Sequence, residues 1–524
     1  MALQRTIGLT GLTFIGMGGV LGSGWLFAPM LAAQQAGPAA ILAWCIGGVA
    51  IIIVALPFAE LTALLPEAGA MARLPRYSHG GMTSMIIGWS AWLGYATAPP
   101  IEAIAIIKYV HPLFPGIFDP TATDLAHGPT TGGYVAACAI LAVMVVINAL
   151  GVAWLNKANA IITTAKILLP LIIIATFLTT DFHIGNFTAF GGFAPYGLAG
   201  ILSAVSLGGV VFAFLGFRHI IDLAGEASRP HFNVPTALML TVVACFGLYV
   251  LLQVAFIGGV PASAVSNGWN KTDFAHHLGP LAGIAVVIGA SWLIALIYGG
   301  AVLGPFGSGL IATGSNARLG MALAENGFFP ALFTRLSSKD VPFNALVLGF
   351  AAGVCFLTLS LPEVVALNSS AIVLSLCIGP LAVVAMRKQL PRRRRPIRLP
   401  AAAVMAPLGF IVATLIIYWS GWGTIWRLDI GLAAGLLIYV VKRRLEPGDD
   451  PVDLTSARWL FIYIIGVNAV SYLGTFGGGI AVLPFGWDMA VLAAFSLVCF
   501  RIGLVDALEP ARTRELVEIS MPGP

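Results

Sequence analysis

The chain has 524 residues, of which 59% are hydrophobic and only 9% charged, and its formal net charge is +5. Soluble globular proteins carry roughly 25% charged residues, so the composition excludes that class and indicates an all-α polytopic membrane protein. The six cysteines (Cys45, Cys138, Cys245, Cys355, Cys377, Cys499) lie in apolar segments with no C-x-x-C pair, which argues against a disulfide framework or a metal knuckle.

The first apolar run, from about Ile7 to Gln34, is too long for the apolar region of a cleavable signal peptide, and no small-residue cleavage site closes it. It reads as a membrane span. Near its centre Gly18-Gly19-Val20-Leu21-Gly22-Ser23-Gly24-Trp25 concentrates glycine and removes helix propensity, which predicts a broken helix. A break at membrane depth frees N–H and C=O groups that only protein or a water-filled cavity can satisfy. The N–H groups of the second half suit an anion and the carbonyls of the first half suit a cation. An amino acid carries both charges on one carbon.

Apolar runs between turn and charge clusters predict fourteen spans, near 7–35, 38–64, 82–109, 132–151, 158–178, 198–227, 234–258, 280–313, 343–361, 364–387, 402–420, 425–442, 458–477 and 485–504. With the N-terminus cytoplasmic, the opposite side keeps only Lys108, Lys271 and Arg427 among the basic residues assigned to either face. The positive-inside rule then places both termini in the cytoplasm of an inner-membrane protein. Cytoplasmic connectors are expected at Pro66 to Gly81 and at Gly314 to Pro342, and the cluster Arg387 to Arg398 is expected to face anionic lipid. Span six should be interrupted at Gly208-Gly209 and again at Phe214-Leu215-Gly216-Phe217. Spans one and six correspond if residues 1–180 and 181–390 form two halves of opposite topology, and paired glycine breaks mark the substrate site of an inverted-repeat transporter. Residues 391–524 add four further spans and a short tail.

Several motifs occur together: Gly18-x-x-Leu21-Gly22-Ser23-Gly24-Trp25-Leu26-Phe27, then Glu60-Leu61 with Pro66-x-x-Gly69. Phe212 to Phe217 is followed by Ala224-Gly225-Glu226-Ala227 and Arg229-Pro230, and Asn316-Ala317-Arg318 with Met321-Ala322 comes after span eight. This set resembles the amino acid, polyamine and organocation transporter superfamily, and the fourteen-span length and Gly-Phe-Arg variant look closest to bacterial aspartate/proton symporters. The resemblance implies a LeuT-like core of five plus five inverted helices with spans one and six broken, working by alternating access. It also implies that Gly22, Ser23 and Gly24 hold a substrate carboxylate, while carbonyls of Met17, Gly18, Phe214 and Leu215 receive its ammonium. Sodium-coupled relatives place an ion between spans one, five and eight. In sodium-independent ones a lysine takes that place, a position matched by Lys166.

Lys166 and Arg218 are the basic residues assigned to neither face, and both fall within spans, where ionisable groups are costly and mark function by default. Lys166 is either a proton carrier or a fixed tie between helices, with carbonyls near Gly18 and Gly19 and the hydroxyl of Ser308 as expected partners. Arg218 either pairs with Asp222, four residues on, or grips the side-chain carboxylate of an acidic substrate. Glu102 is a proton relay, a gate charge or a cavity-facing structural group, and His219 either belongs to a hydrogen-bond network or handles protons. Trp25 and Phe214 are candidate pocket walls.

The expected activity is proton-coupled uptake of an acidic amino acid. A neutral amino acid carrier or exchanger, or a nutrient-sensing receptor, are the alternatives. No cofactor and no nucleic acid partner is expected, and without a metal cluster or a nucleophile and base constellation no enzyme is indicated.

Overall fold

A computed structural model describes residues 5–114, 116–117, 129–150, 152–272, 274, 279–339, 341–446 and 453–520, with backbone alone for 152–161 and 362. Among the described residues the structure is helical, and isolated bridges join Ile7 with Ala227 and Gly474 with Leu483. The helices are α1 (Leu9–Val20), α2 (Gly24–Ala36), α3 (Ala40–Leu64), α4 (Ala70–Val110), α5 (Thr131–Ala149), α6 (Val152–Thr180), α7 (Gly197–Ser206), α8 (Val210–Phe214), α9 (Arg218–Asp222), α10 (Pro230–Gly259) and α11 (Ala262–Val265). They continue as α12 (Pro280–Val287), α13 (Ser291–Glu325), α14 (Phe343–Phe356), α15 (Leu361–Leu376), α16 (Ile378–Gln389), α17 (Ala402–Trp419), α18 (Trp422–Leu445), α19 (Arg458–Leu473), α20 (Trp487–Asp506) and α21 (Pro510–Ser520). Ten helical runs among the described residues are long and apolar enough to cross a membrane, and the first of them, Gly24–Leu64, contains both α2 and α3. Leu9–Val20, Phe343–Phe356 and Arg458–Leu473 are shorter apolar helices.

Both interruptions read from glycine content are present. Leu21, Gly22 and Ser23 separate α1 from α2, and Leu207 to Gly209 separate α7 from α8, with Gly209 in the left-handed region at φ 78°. A 3-10 turn over Leu215–Phe217 then joins α8 to α9. Three other boundaries differ from expectation. The segment expected to connect after Pro66 is helical from Ala70, and α4 runs through it with a kink at Gly80 (φ 80°, ψ −174°). Span eight divides into α12 and α13 around Gly289, whose φ is 74°. α13 continues to Glu325, so Asn316-Ala317-Arg318 lies inside the helix rather than after it. Apolar periodicity stops where charge begins, whereas the helix stops only where the backbone must turn, here at Gly327 with φ 81°.

α1 lies at the centre, packed by α10, α6, α13 and the 3-10 turn, while α4 packs along α13 and α15. At the face carrying the N-terminus, Ile7 N–H donates to Glu226 O at 3.1 Å and Ser228 N–H donates to Ile7 O at 2.8 Å. Gly69 N–H donates to Asp222 O at 3.1 Å there, and the pairs Arg73–Glu325 (2.8 Å) and Arg318–Glu226 (3.6 Å) close the same face. α17 packs on α3, α15 and α16, and α18 packs on α15 and α4. Of the arginines expected to face lipid, two are engaged internally. Arg387 and Arg395 both pair with Glu60, which is 1% exposed, at 2.6 and 3.3 Å, and Leu399 N–H donates to the same carboxylate at 2.6 Å. A buried carboxylate needs paired charge more than lipid headgroups do.

At the Gly80 kink, Ser78 O accepts from Leu508 N–H and from Gln389 Nε2, both at 2.9 Å, and Tyr77 O accepts from Thr513 Oγ1 at 2.9 Å. The start of α21 is thereby fixed to α4.

The two broken helices meet backbone to backbone. A Cβ on Gly216 would lie 2.1 Å from Gly19 C and 2.2 Å from Val20 N. Main-chain atoms cannot swing aside as a side-chain tip can, so Gly216→Ala is expected to destabilise by about 1–3 kcal/mol. Gly299→Ala, where a Cβ meets nothing within 4 Å, should leave the midpoint of thermal unfolding in detergent almost unchanged. Equal midpoints for the two variants would contradict the contact.

Candidate functional site

Around this crossing, side chains from three helices satisfy the carbonyls that the first break sets free. Lys166 Nζ on α6 donates to Gly18 O at 2.7 Å, and Ser308 Oγ on α13 donates to Gly19 O at 3.0 Å. Tyr249 Oη on α10 lies 2.9 Å from Val20 O and 3.3 Å from Ala213 O, so one hydroxyl spans the carbonyls of both broken helices. Leu21 N–H donates to Met17 O at 2.8 Å. The carbonyls of Met17 and Gly18 therefore already have internal partners, and Arg218 N–H engages that of Leu215.

A donor at the start of α2 is also occupied. Ser23 N–H donates to Glu102 Oε2 at 2.8 Å. Glu102 stands on α4 just after Pro99 and Pro100 and is 3% exposed. The Ser23 and Ser308 hydroxyls and the Lys166 ammonium flank the same carboxylate. A pair of opposite charges with added hydrogen bonds is the arrangement in which buried charge is tolerated.

A cleft of about 540 Å³, its open mouth included, adjoins Ser23 and Gly24. Its walls include Phe27, Ile101, Phe212, Leu361 and Val365. The aromatic walls are thus Phe27 and Phe212, and the expectation for Trp25 and Phe214 is corrected. Phe214 packs edge-on against Trp44 and Tyr249, with ring centroids at 5.7 and 5.3 Å, and Trp25 is buried beside Gly300 and Gly304. Helical phase puts residues 212 and 214 on different sides of a short helix.

Arg218 is 3% exposed, with its guanidinium 3.7 Å from the centroid of the Tyr95 ring. Its Nη2 donates to Gly94 O at 3.3 Å, while Nε and Nη1 have no hydrogen-bond partner. Gly94 O also accepts from Asn368 Nδ2 at 2.6 Å. The direct Arg218–Asp222 pair is not formed. Asp222 instead accepts from Tyr95 Oη and, at 3.4 Å, from Met71 N–H, so Tyr95 stands between the two charges. His219 Nδ1 lies 2.9 Å from Ser315 Oγ, in a hydrogen-bond network.

The site thus brings Gly18, Gly22, Ser23, Lys166, Ser308 and Glu102 together, with Arg218 and Asp222 in a second polar cluster reached through Gly94 and Tyr95. Tyr249, Tyr95 and Asn368 carry much of the geometry and were not singled out by sequence. Each is an ordinary polar residue in an apolar run, with nothing local to mark its partner.

The chain matches the amino acid permease family over residues 7–429. It is 34% identical over 528 residues to the glutamate/serine transporter AimA of Bacillus subtilis, covering 99% of this chain and 97% of that protein. It is 35% identical over 506 residues to the aspartate-proton symporter of the same organism, with 95% of each covered. The branched-chain amino acid permease BcaP of B. subtilis is 26% identical over 84% of this chain and 94% of its own length.

Removing a hydroxyl that holds two buried carbonyls leaves them without that donor, at a cost of about 1–3 kcal/mol. Tyr249→Phe should therefore lower the unfolding midpoint clearly. Tyr298→Phe, which removes a hydroxyl without a hydrogen-bond partner, should change it little, and the reverse order would refute the bridging role.

Proposed function

Because the chain belongs to the amino acid permease family, we propose that it is a secondary active transporter that takes up an acidic amino acid together with protons by alternating access. The observation that carries the acidic assignment is Arg218, a buried guanidinium with two N–H-bearing nitrogens left without partners. Such a group is costly to bury unless a carboxylate visits it. The names of the two relatives that transport glutamate or aspartate agree with this reading.

In this reading α1 to α6 and α7 to α16 are two inverted halves, residues 1–180 and 181–390, of a LeuT-like core with fourteen spans in all. Residues 391–524 supply the last four spans, and both termini face the cytoplasm. The turn at Gly22, Ser23 and Gly24 receives the substrate α-carboxylate through main-chain N–H groups. Carbonyls from Met17, Gly18, Phe214 and Leu215 offer their remaining lone pairs to the α-ammonium. Arg218 takes the second carboxylate, with Asp222 acting on it through Tyr95. Lys166 links protonation to the first break through Gly18 O, and Ser308 supports the same strand of carbonyls. The bonded N-terminal face and the cleft reaching Ser23 from the other side correspond to a conformation open to the outside. Substrate and proton move the molecule to the opposite state only by binding that state better.

The apolar walls of the cleft favour a second reading, a carrier of neutral amino acids. A competition panel of the twenty amino acids, run without sodium at two pH values, separates the two. Arg218→Ala is expected to weaken aspartate and glutamate by roughly 1.5–3 kcal/mol, about ten- to a hundredfold, while neutral amino acids lose much less. Equal losses would sink the recognition role. In proteoliposomes with an imposed pH gradient, Lys166→Ala should abolish gradient-driven uptake and spare exchange, and full gradient-driven uptake by that variant would rule out Lys166 in coupling.

A further inference from the structure

The turn at the start of α2 holds a carboxylate that belongs to the protein. Glu102 Oε2 takes the Ser23 N–H at 2.8 Å, and a Cβ on Gly22 would lie 2.1 Å from Glu102 Oε1. The carboxylate therefore fills the space over the turn as well as its donor. It arrives from α4, 79 positions away in sequence, so local chain geometry does not force it there. The cleft reaches the same turn at Ser23 and Gly24, with Ile101, the sequence neighbour of Glu102, in its wall.

Resting on the transporter reading above, we propose that Glu102 is a tethered stand-in for the substrate α-carboxylate, holding the Ser23 donor in the empty transporter and yielding it when substrate enters. One N–H cannot serve two buried anions at full strength, and two carboxylates crowded over one turn repel. Substrate therefore binds only as Glu102 leaves. As the Ser23 N–H···Oε2 bond breaks, a proton from water in the cleft adds to Glu102, and it returns to water when substrate departs and the bond reforms. The charged or titratable groups facing Glu102 are Lys166 from α6 and Tyr249 from α10, with the hydroxyls of Ser23 and Ser308 beside it. Lys166 in turn acts on His219 from α9. Lys166, which donates to Gly18 O, is the cation whose charge acts on the stand-in. A built-in competitor lowers apparent affinity by the fraction of molecules whose turn is free.

The test is binding of L-aspartate, L-glutamate and L-serine to the purified full-length protein at pH 5.5 and pH 8, by calorimetry in buffers of different ionisation enthalpy. Wild type should bind more tightly at pH 5.5 and take up protons on binding. Glu102→Gln should bind at least about fivefold more tightly than wild type at pH 8, with little change at pH 5.5 and reduced proton uptake. Glu102→Asp keeps the charge beside Lys166 but draws the carboxylate back by one methylene, so it too should bind more tightly at pH 8 while keeping its pH dependence. This second variant decides the matter if the first does not fold. Affinities equal to or weaker than wild type at pH 8, with unchanged proton uptake, overturn the stand-in while leaving the transporter reading intact. Absence of binding by all three proteins to all three amino acids overturns both.

Discussion

The close approach of Gly19 and Gly216 is the constraint on which the rest of the structure depends. Two helices interrupted at membrane depth can cross with their main chains in contact only if neither carries a Cβ at the crossing. That contact brings polar backbone into a region without solvent, where each unpaired group would cost several kcal/mol. The surrounding side chains answer this cost directly. Lys166, Ser308 and Tyr249 each place a donor on a carbonyl of the first broken helix, and they come from three different helices. The packing of α6, α10 and α13 around α1 is thus also a hydrogen-bonding arrangement.

Charge is handled by the same economy of partners. Two buried cations and two buried carboxylates lie near the crossing, and each is placed where another polar group already needs satisfying. Lys166 serves Gly18 O and faces Glu102, and Glu102 serves the Ser23 N–H. Tyr95 gives its ring to Arg218 and its hydroxyl to Asp222. The two clusters differ in completeness. Lys166 and Glu102 each have a main-chain hydrogen-bond partner, whereas the Arg218 cluster leaves two nitrogens open. A closed cluster rigidifies and an open one invites a ligand.

The features legible in sequence were those encoded locally. Dense glycine in an apolar run announced both breaks, and an intramembrane lysine opposite them announced the contacts of Lys166 and Ser308 with the first. The carboxylate on Ser23 was not legible. Glu102 was visible as an ionisable group in an apolar helix, but such a helix has no amphipathic stripe to say which way residue 102 turns. Tyr249, Tyr95 and Asn368 were hidden for the same reason. The expected pairing of Arg218 with Asp222 followed from helical spacing and failed because α9 is only five residues long and Tyr95 enters between them. Helix limits were misplaced wherever polarity and backbone geometry disagreed, as after Gly314 and before Gly80.

The kink at Gly80 carries a consequence for how the chain is assembled. Carbonyls on the N-terminal side of a kink leave the helical ladder and need other donors. For Tyr77 and Ser78 those donors include Thr513 and the main chain of Leu508, and Thr513 lies 436 positions further along the chain than Tyr77. During synthesis α4 is inserted long before either donor exists. The bend of the fourth helix therefore lacks these two donors until residues some 430 positions further along have been made and have folded back to it.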